Sequence, residues 1–170
     1  MTTGGWMSAR LFLALVVMAA VGCATELDKV ERTTRGPSAE ELMLVRSVVI
    51  NGRTPNFEEK RHWERAVEER VYTYLRDHPE LQQSARYTEF RFLWQVTPGS
   101  TPAEVRVLLE EPQEQTVDPA RMAALAERHW SEMRAKVKEA WVYEPAWAIY
   151  FDDAGVVAIV HRVSSVAPRD

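Results

Sequence analysis

The chain contains a single cysteine, Cys23, among its 170 residues. No internal disulfide is available, so the fold has to rest on packing. Glycine is also scarce, at seven residues. There is no Gly-rich phosphate loop, and Gly99 stands alone as a turn glycine ahead of a helix start. No apolar run reaches the roughly 20 residues that a membrane-spanning helix needs. An excess of positive charge is missing too: 21 basic side chains face 25 acidic ones, a net charge of −4 dispersed along the chain. Such a surface argues against nucleic acid as a partner. The four histidines, His62, His78, His129 and His161, show no metal-ligand spacing. No serine lies in a Gly-x-Ser-x-Gly context, and there is no internal repeat or low-complexity segment.

What is present begins at the N-terminus. Arg10 precedes Leu11 to Val21, an eleven-residue stretch without charge. At about 1.5 Å per helical residue it covers about 16 Å, roughly half of a bilayer core. It reads as the apolar region of a signal peptide, residues 1–22. The residues that close it, Ala20-Val21-Gly22-Cys23, resemble a bacterial lipobox. That resemblance implies that Cys23 becomes the lipidated first residue of the mature chain, with acyl chains such as palmitate as its membrane contact. Loss of the leader removes only Arg10 among charged residues, so the mature chain is slightly more acidic. Ala24 resembles the sorting signal for the periplasmic face of the outer membrane; inner-membrane retention is the alternative. With the thiol acylated, none remains for a zinc site, and no metal or other cofactor is expected.

Residues 23–37 are polar, mixed in charge and end in Arg35-Gly36-Pro37, the composition of a tether. Ser38 is placed to cap a short helix, with Glu40 and Glu41 in its first turn. Leu42, Val45 and Val49 would line its inner face, and Asn51-Gly52 would stop it. Asn56 is placed to cap a second helix. There Trp63, Val67, Val71, Tyr74 and Leu75 recur at helical spacing until His78-Pro79. From Leu81 to Val96 the periodicity is mixed, and a helix followed by an extended end is expected. Thr101-Pro102-Ala103-Glu104 is the clearest local signal, a capping box with proline at the first helical position. Val105, Leu108 and Leu109 then face inward, and Pro112 ends the helix.

Asp118-Pro119 opens a further helix at about 118–138, with a continuous apolar stripe through Met122, Leu125, Ala126, Met133 and Val137. Three β segments follow: Trp141–Glu144, Trp147–Phe151 and Val156–Val163. Their short connections can only join antiparallel neighbours. Trp141, Tyr143, Trp147, Ile149, Phe151, Val157 and Ile159 would form the apolar face. The expected class is α+β: N-terminal helices packed on a C-terminal three-stranded antiparallel meander. Residues 38–98 form a helical region, 99–163 an α+β unit with the inserted helix, and 164–170 a tail.

The order of the pieces carries a second resemblance. Gly99-Ser100-Thr101-Pro102-Ala103-Glu104-Val105 is followed by Leu108-Leu109-Glu110-Glu111-Pro112, then Trp141-Val142-Tyr143, then Phe151-Asp152-Asp153-Ala154-Gly155-Val156-Val157. Over residues 99–161 this resembles the SmpA/OmlA (BamE-like) lipoprotein domain. The resemblance implies a small scaffold of the cell envelope that binds other envelope proteins. It would support outer-membrane protein assembly or envelope integrity without catalysis. The sequence departs from the family where Glu111 replaces the glycine before Pro112, and where the helix at 118–138 is inserted. The helix-and-sheet architecture is also similar to that of β-lactamase inhibitor proteins, so an enzyme inhibitor is the alternative.

A hydrolase is the third reading, with Asp152, Asp153 and His161 as its candidate groups. Asp152-Asp153-Ala154-Gly155 is also hairpin-turn chemistry, with side chains capping local amides. Trp63, Trp141 and Trp147 read as core. Trp94 and Trp130 are the candidate partner contacts, since aromatics dominate interface hot spots. The helix at 118–138 is expected to dock on the domain through Met122, Leu125 and Met133.

Overall fold

The computed structural model describes residues 29–163. The expectations for the signal peptide, for Cys23 and for the tail at 164–170 lie outside the described residues. The chain is of mixed helix and sheet, and the sheet is open and antiparallel. Strand β1 is Lys29–Thr33, followed by helices α1 (Ala39–Asn51), α2 (Phe57–Asp77), α3 (Tyr87–Arg91) and α4 (Pro102–Leu109). Strand β2 is Glu114–Thr116; α5 (Pro119–Ala126) and α6 (Trp130–Met133) precede β3 (Glu139–Tyr143), β4 (Trp147–Phe151) and β5 (Val156–Val163). The sheet order is β1-β5-β4-β3-β2, so the meander has one added strand on each edge and five in all.

That is the first correction. Residues 29–33, expected within the tether, hold one apolar side chain among charges in Lys-Val-Glu-Arg-Thr. They pair with β5 from Lys29 opposite Val163 to Thr33 opposite Ile159. The outer edge of β5 offers unpaired amides and carbonyls, and a neighbouring strand satisfies them. The charges then suit an exposed sheet edge.

The helix starts follow the caps read from sequence. Ser38 Oγ accepts from the Glu41 amide at 3.1 Å, and Gly52 closes α1 at φ 67°. The Asn56 side chain accepts from the Glu59 amide at 2.9 Å, while the Glu59 carboxylate accepts from the Asn56 amide at 2.8 Å. Helix α2 stops at Asp77, one residue before His78-Pro79. The mixed stretch does become a helix, α3, and then an extended end whose Gln95 bridges to Ser38.

Two hydrophobic clusters lie on opposite faces of the sheet. On the first, Leu42, Val67, Val71, Val105 and Leu108 of α1, α2 and α4 meet Trp141, Ile149 and Phe151. On the second, Met122, Ala126 and Met133 cover Ala140, Ala148, Tyr150, Ala158 and Val160. All five residues of β4 are buried, as a strand covered on both faces requires. The Tyr150 hydroxyl donates to the Met122 carbonyl at 3.1 Å and ties this layer to the sheet. Burial pushes the Tyr150 phenol well above its ordinary range.

Three local expectations fail. Helix 118–138 is not continuous: α5 ends at Ala126, Glu127 takes φ 49°, and a 3-10 turn at Glu127–His129 leads into α6. Breaking the helix lets both Met122 and Met133 reach a sheet whose facing residues are mostly alanines. Val157 does not join the first face. The register shifts beside Tyr150 and Phe151, so that Phe151 pairs with Val156 and Tyr150 with Ala158. This bulge makes Val157 the extra residue, packed on the second face, and puts Val156 in its place. Val49 is not on the inner face of α1 either; Val49 is 70% and Ile50 77% exposed.

Candidate functional site

Gly99, Ser100 and Gly155 of the motif meet at one end of the sheet. The Gly99 amide donates to the Val156 carbonyl at 2.7 Å, and the Val156 amide donates to the Ser100 carbonyl at 2.8 Å. This clasp requires glycine at 155, where a Cβ would fall 2.6 Å from the Ser100 carbonyl oxygen. Thr101 Oγ1 accepts from the Glu104 amide at 3.2 Å, and the Glu104 carboxylate accepts from the Thr101 amide at 3.1 Å. Glu104 is only 1% exposed. Its second partner is Arg86, whose Nη1 and Nη2 both donate to it. Sequence reading assigned Glu104 to the cap alone. The paired guanidinium comes from 18 residues earlier and carries no local signal.

The remaining motif residues are structural as well. Val105, Trp141 and Phe151 are buried together, with the Trp141 and Phe151 ring centroids 4.5 Å apart. The Arg106 guanidinium lies 4.2 Å from the Trp141 ring centroid, within cation–π range. The Tyr143 hydroxyl donates to the Glu110 carbonyl at 3.0 Å, and its phenol is pushed up by burial. Glu110, not Glu111, takes the positive φ, 66°, at the exit of α4 toward Pro112.

The groups of the hydrolase reading are not brought together. Asp152 Oδ1 accepts from the Ala154 and Gly155 amides at 2.8 and 2.9 Å, a turn contact. Asp153 is paired with Lys138. His161 lies opposite Trp147 at the far end of the β4–β5 ladder and stacks on its ring at 4.0 Å. Among the described residues, no three His, Cys, Asp or Glu side chains form a metal-ligand group.

Trp94 and Trp130, the candidate partner contacts, are both half-buried against the cores. Trp94 meets Trp63 edge-on at 5.8 Å, and Trp130 packs on the second cluster. Both rings pack on the protein's own cores while part of each stays at the surface. With both sheet faces covered, the aromatic sheet face that an inhibitor would use is also occupied.

Several large apolar side chains are exposed, among them Phe57, Tyr72, Phe92, Leu93 and Val117, and three in succession, Val48, Val49 and Ile50, make an apolar stretch at the end of α1. Beside it, α1, α2 and the end of α4 enclose an open cavity of about 390 Å³. Leu42, Met43, Trp63 and Leu108 give it apolar walls. A second cavity of about 220 Å³ lies between α1 and the β3–β4 turn. Arg46 and Ile50 line both. Arg46 Nη1 approaches the Leu109 carbonyl at 3.5 Å, while Nε and Nη2 are buried without any partner. Sequence reading missed this residue, although Arg46 is the one charge within Leu42 to Ile50.

The rim contains a pH-sensitive pair. Arg53 donates to Glu59 through Nη1 and Nη2 at 2.8 and 2.7 Å. This bond, and then the Asn56 amide, hold the Glu59 carboxyl down at about 2. Its folded value lies below the unfolded one, so its contribution is full above about pH 4.5 and fades as pH falls toward 2. In urea unfolding, Glu59→Gln should be less stable than the parent at pH 6, and the gap should close over that range. A gap that stays constant down to pH 2 would show that the pair contributes nothing.

No family model, curated protein or solved structure matches the chain. Among the described residues no helix is long and apolar enough to cross a membrane.

Proposed function

We propose that this protein is a lipid-anchored adaptor of the bacterial cell envelope, divergent from the SmpA/OmlA (BamE-like) type. It is tethered through Cys23 at the periplasmic face of the outer membrane and binds another envelope protein without chemistry of its own. The observation that carries the reading is the exposed apolar end of α1 beside an open cavity, on a domain whose buried motif residues serve structure. Apolar surface of this kind, next to a cavity, is how partner surfaces are commonly marked. The lipobox-like Ala20-Val21-Gly22-Cys23 supplies the anchor. The capped α4, packed in one cluster with residues of the β3–β5 meander, supports the BamE-like architecture.

Strand β1 starts at Lys29. The chain from Cys23 to that point spans at most about 20 Å at roughly 3.3–3.6 Å per residue. A lipid at Cys23 would hold the β1 edge close to the bilayer. The test compares the wild-type chain with Cys23→Ser by intact mass and membrane fractionation in a diderm bacterium. Acyl mass and outer-membrane association are expected for the wild type alone. Release of both forms as soluble protein would remove the anchor from the proposal. Photo-crosslinking from Val49 in the cells that make the protein then tests the adaptor role, and capture of no protein would count against it.

A further inference from the structure

We infer that the cavity at Arg46 is the receptor for an acidic side chain of the partner, carried on a segment with apolar neighbours. The inference rests on the adaptor reading and specifies the chemistry that the partner has to present. Its basis is an unbalanced charge. A half-buried guanidinium whose Nε and Nη2 are shielded from water and have no acceptor is left with desolvation that is only partly compensated. Two of the carboxylates near it are held by other cations. Glu59 is held by Arg53, and Glu110 pairs with Arg70 at 3.3 Å. Glu144 lines the second cavity, but no ion pair joins it to Arg46 among the described residues.

A carboxylate entering beside Arg46 can accept two parallel N–H bonds, the arrangement in which guanidinium binds most strongly. The side-chain adjustment this needs is ordinary at interfaces. Leu42, Met43 and Trp63 line the larger cavity, exposed Val49 lines the smaller one and exposed Ile50 lines both, which favours apolar residues on either side of the acid. Arginine is one of the residue types enriched at binding hot spots, which sit in desolvated pockets ringed by contacts that exclude water. A purely apolar segment would leave Arg46 unpaired, and a basic one would repel it.

The test pans the full chain in mild detergent against a random heptapeptide display library. Selected peptides are expected to carry Asp or Glu next to apolar residues. Arg46→Met should weaken their binding about ten- to hundredfold, the range for losing charge-assisted hydrogen bonds, and Arg46→Lys should retain part of it. The Tm of Arg46→Met should stay level or rise, because an unpaired buried cation is replaced by an apolar side chain. Peptides with no acidic preference, or binding that survives Arg46→Met, would overturn the inference and leave the adaptor reading intact. So would a fall in Tm that is relieved by adding Glu144→Gln, which would show that Arg46 serves an internal pair. If the library yields no binder, the inference fails, and the adaptor reading is then decided by the crosslinking from Val49.

Discussion

Glu104→Ala is expected to lower the stability of the domain by about 3–5 kcal/mol, the usual cost of breaking a buried ion pair by removing one partner. The side chain is 1% exposed and serves two structures at once. It closes the capping box on the Thr101 amide and balances Arg86. Removing it leaves the Thr101 amide without its partner and Arg86 without a counter-ion. A native domain has only about 5–15 kcal/mol in total, so this one change takes a large share. Glu104→Gln should cost less than Ala, because glutamine can still reach back in a capping box. Arg86→Met should also be destabilising, since it leaves the carboxylate buried beside a lost cation. The double variant Arg86→Met/Glu104→Gln should cost clearly less than the two single changes added together, the signature of direct coupling. Urea unfolding at pH 7 measures all four. A cost below about 1 kcal/mol for Glu104→Ala would place the pair among ordinary surface ion pairs.

Replacing residues 117–138 with a short Gly/Ser linker is expected to unfold the domain. The replacement is allowed by topology, because Thr116 of β2 lies opposite Ala140 of β3. A hairpin-length linker of about 2–5 residues would join them without strain. What it removes is the cover of the second sheet face. Met122 and Met133 are each 3% exposed, and truncating either to alanine should cost about 2–5 kcal/mol. Losing both, with Tyr150 and Val160 left open to water, exceeds what a domain of this size can tolerate. The expected readout is loss of the cooperative thermal transition, with aggregation. A variant that stays folded would mark this segment as an arm for a partner instead of a layer of the core.

Much of the helical half was legible because its signals are local. Ser38, Asn56, Thr101 and Asp118 each act on amides two or three residues away, and His78-Pro79 acts on its own backbone. The three C-terminal strands were legible from their aromatic and β-branched runs. The edge strands were not, since β1 and β2 have little apolar content and owe their conformation to hydrogen-bond partners supplied by β5 and β3. Alternation along β5 misled at Val157, because a bulge inserts one residue and inverts the parity that alternation assumes. Ala140, Ala148 and Ala158 looked neutral in sequence. In the fold their small size lets α5 and α6 lie close on the second face.

The candidate site was least legible of all. Arg46 has no local signal beyond being one charge in an apolar stretch, and only the approach of α2, α4 and the β3–β4 turn encloses it. Trp94 and Trp130 carry no local signal of burial, and tertiary packing sets each partly against a core. By itself, then, the sequence determined where the four capped helices begin, that three β segments follow at the C-terminal side, and that Cys23 follows a signal-like run. Capping, proline geometry and side-chain periodicity act within a few residues and need no partner. The tertiary structure alone decided that the sheet has five strands and two covered faces, that Glu104 has a cation, and that Arg46 has no anion. Those outcomes depend on which distant groups meet out of water, and burial and charge balance have no value until the chain has closed around them.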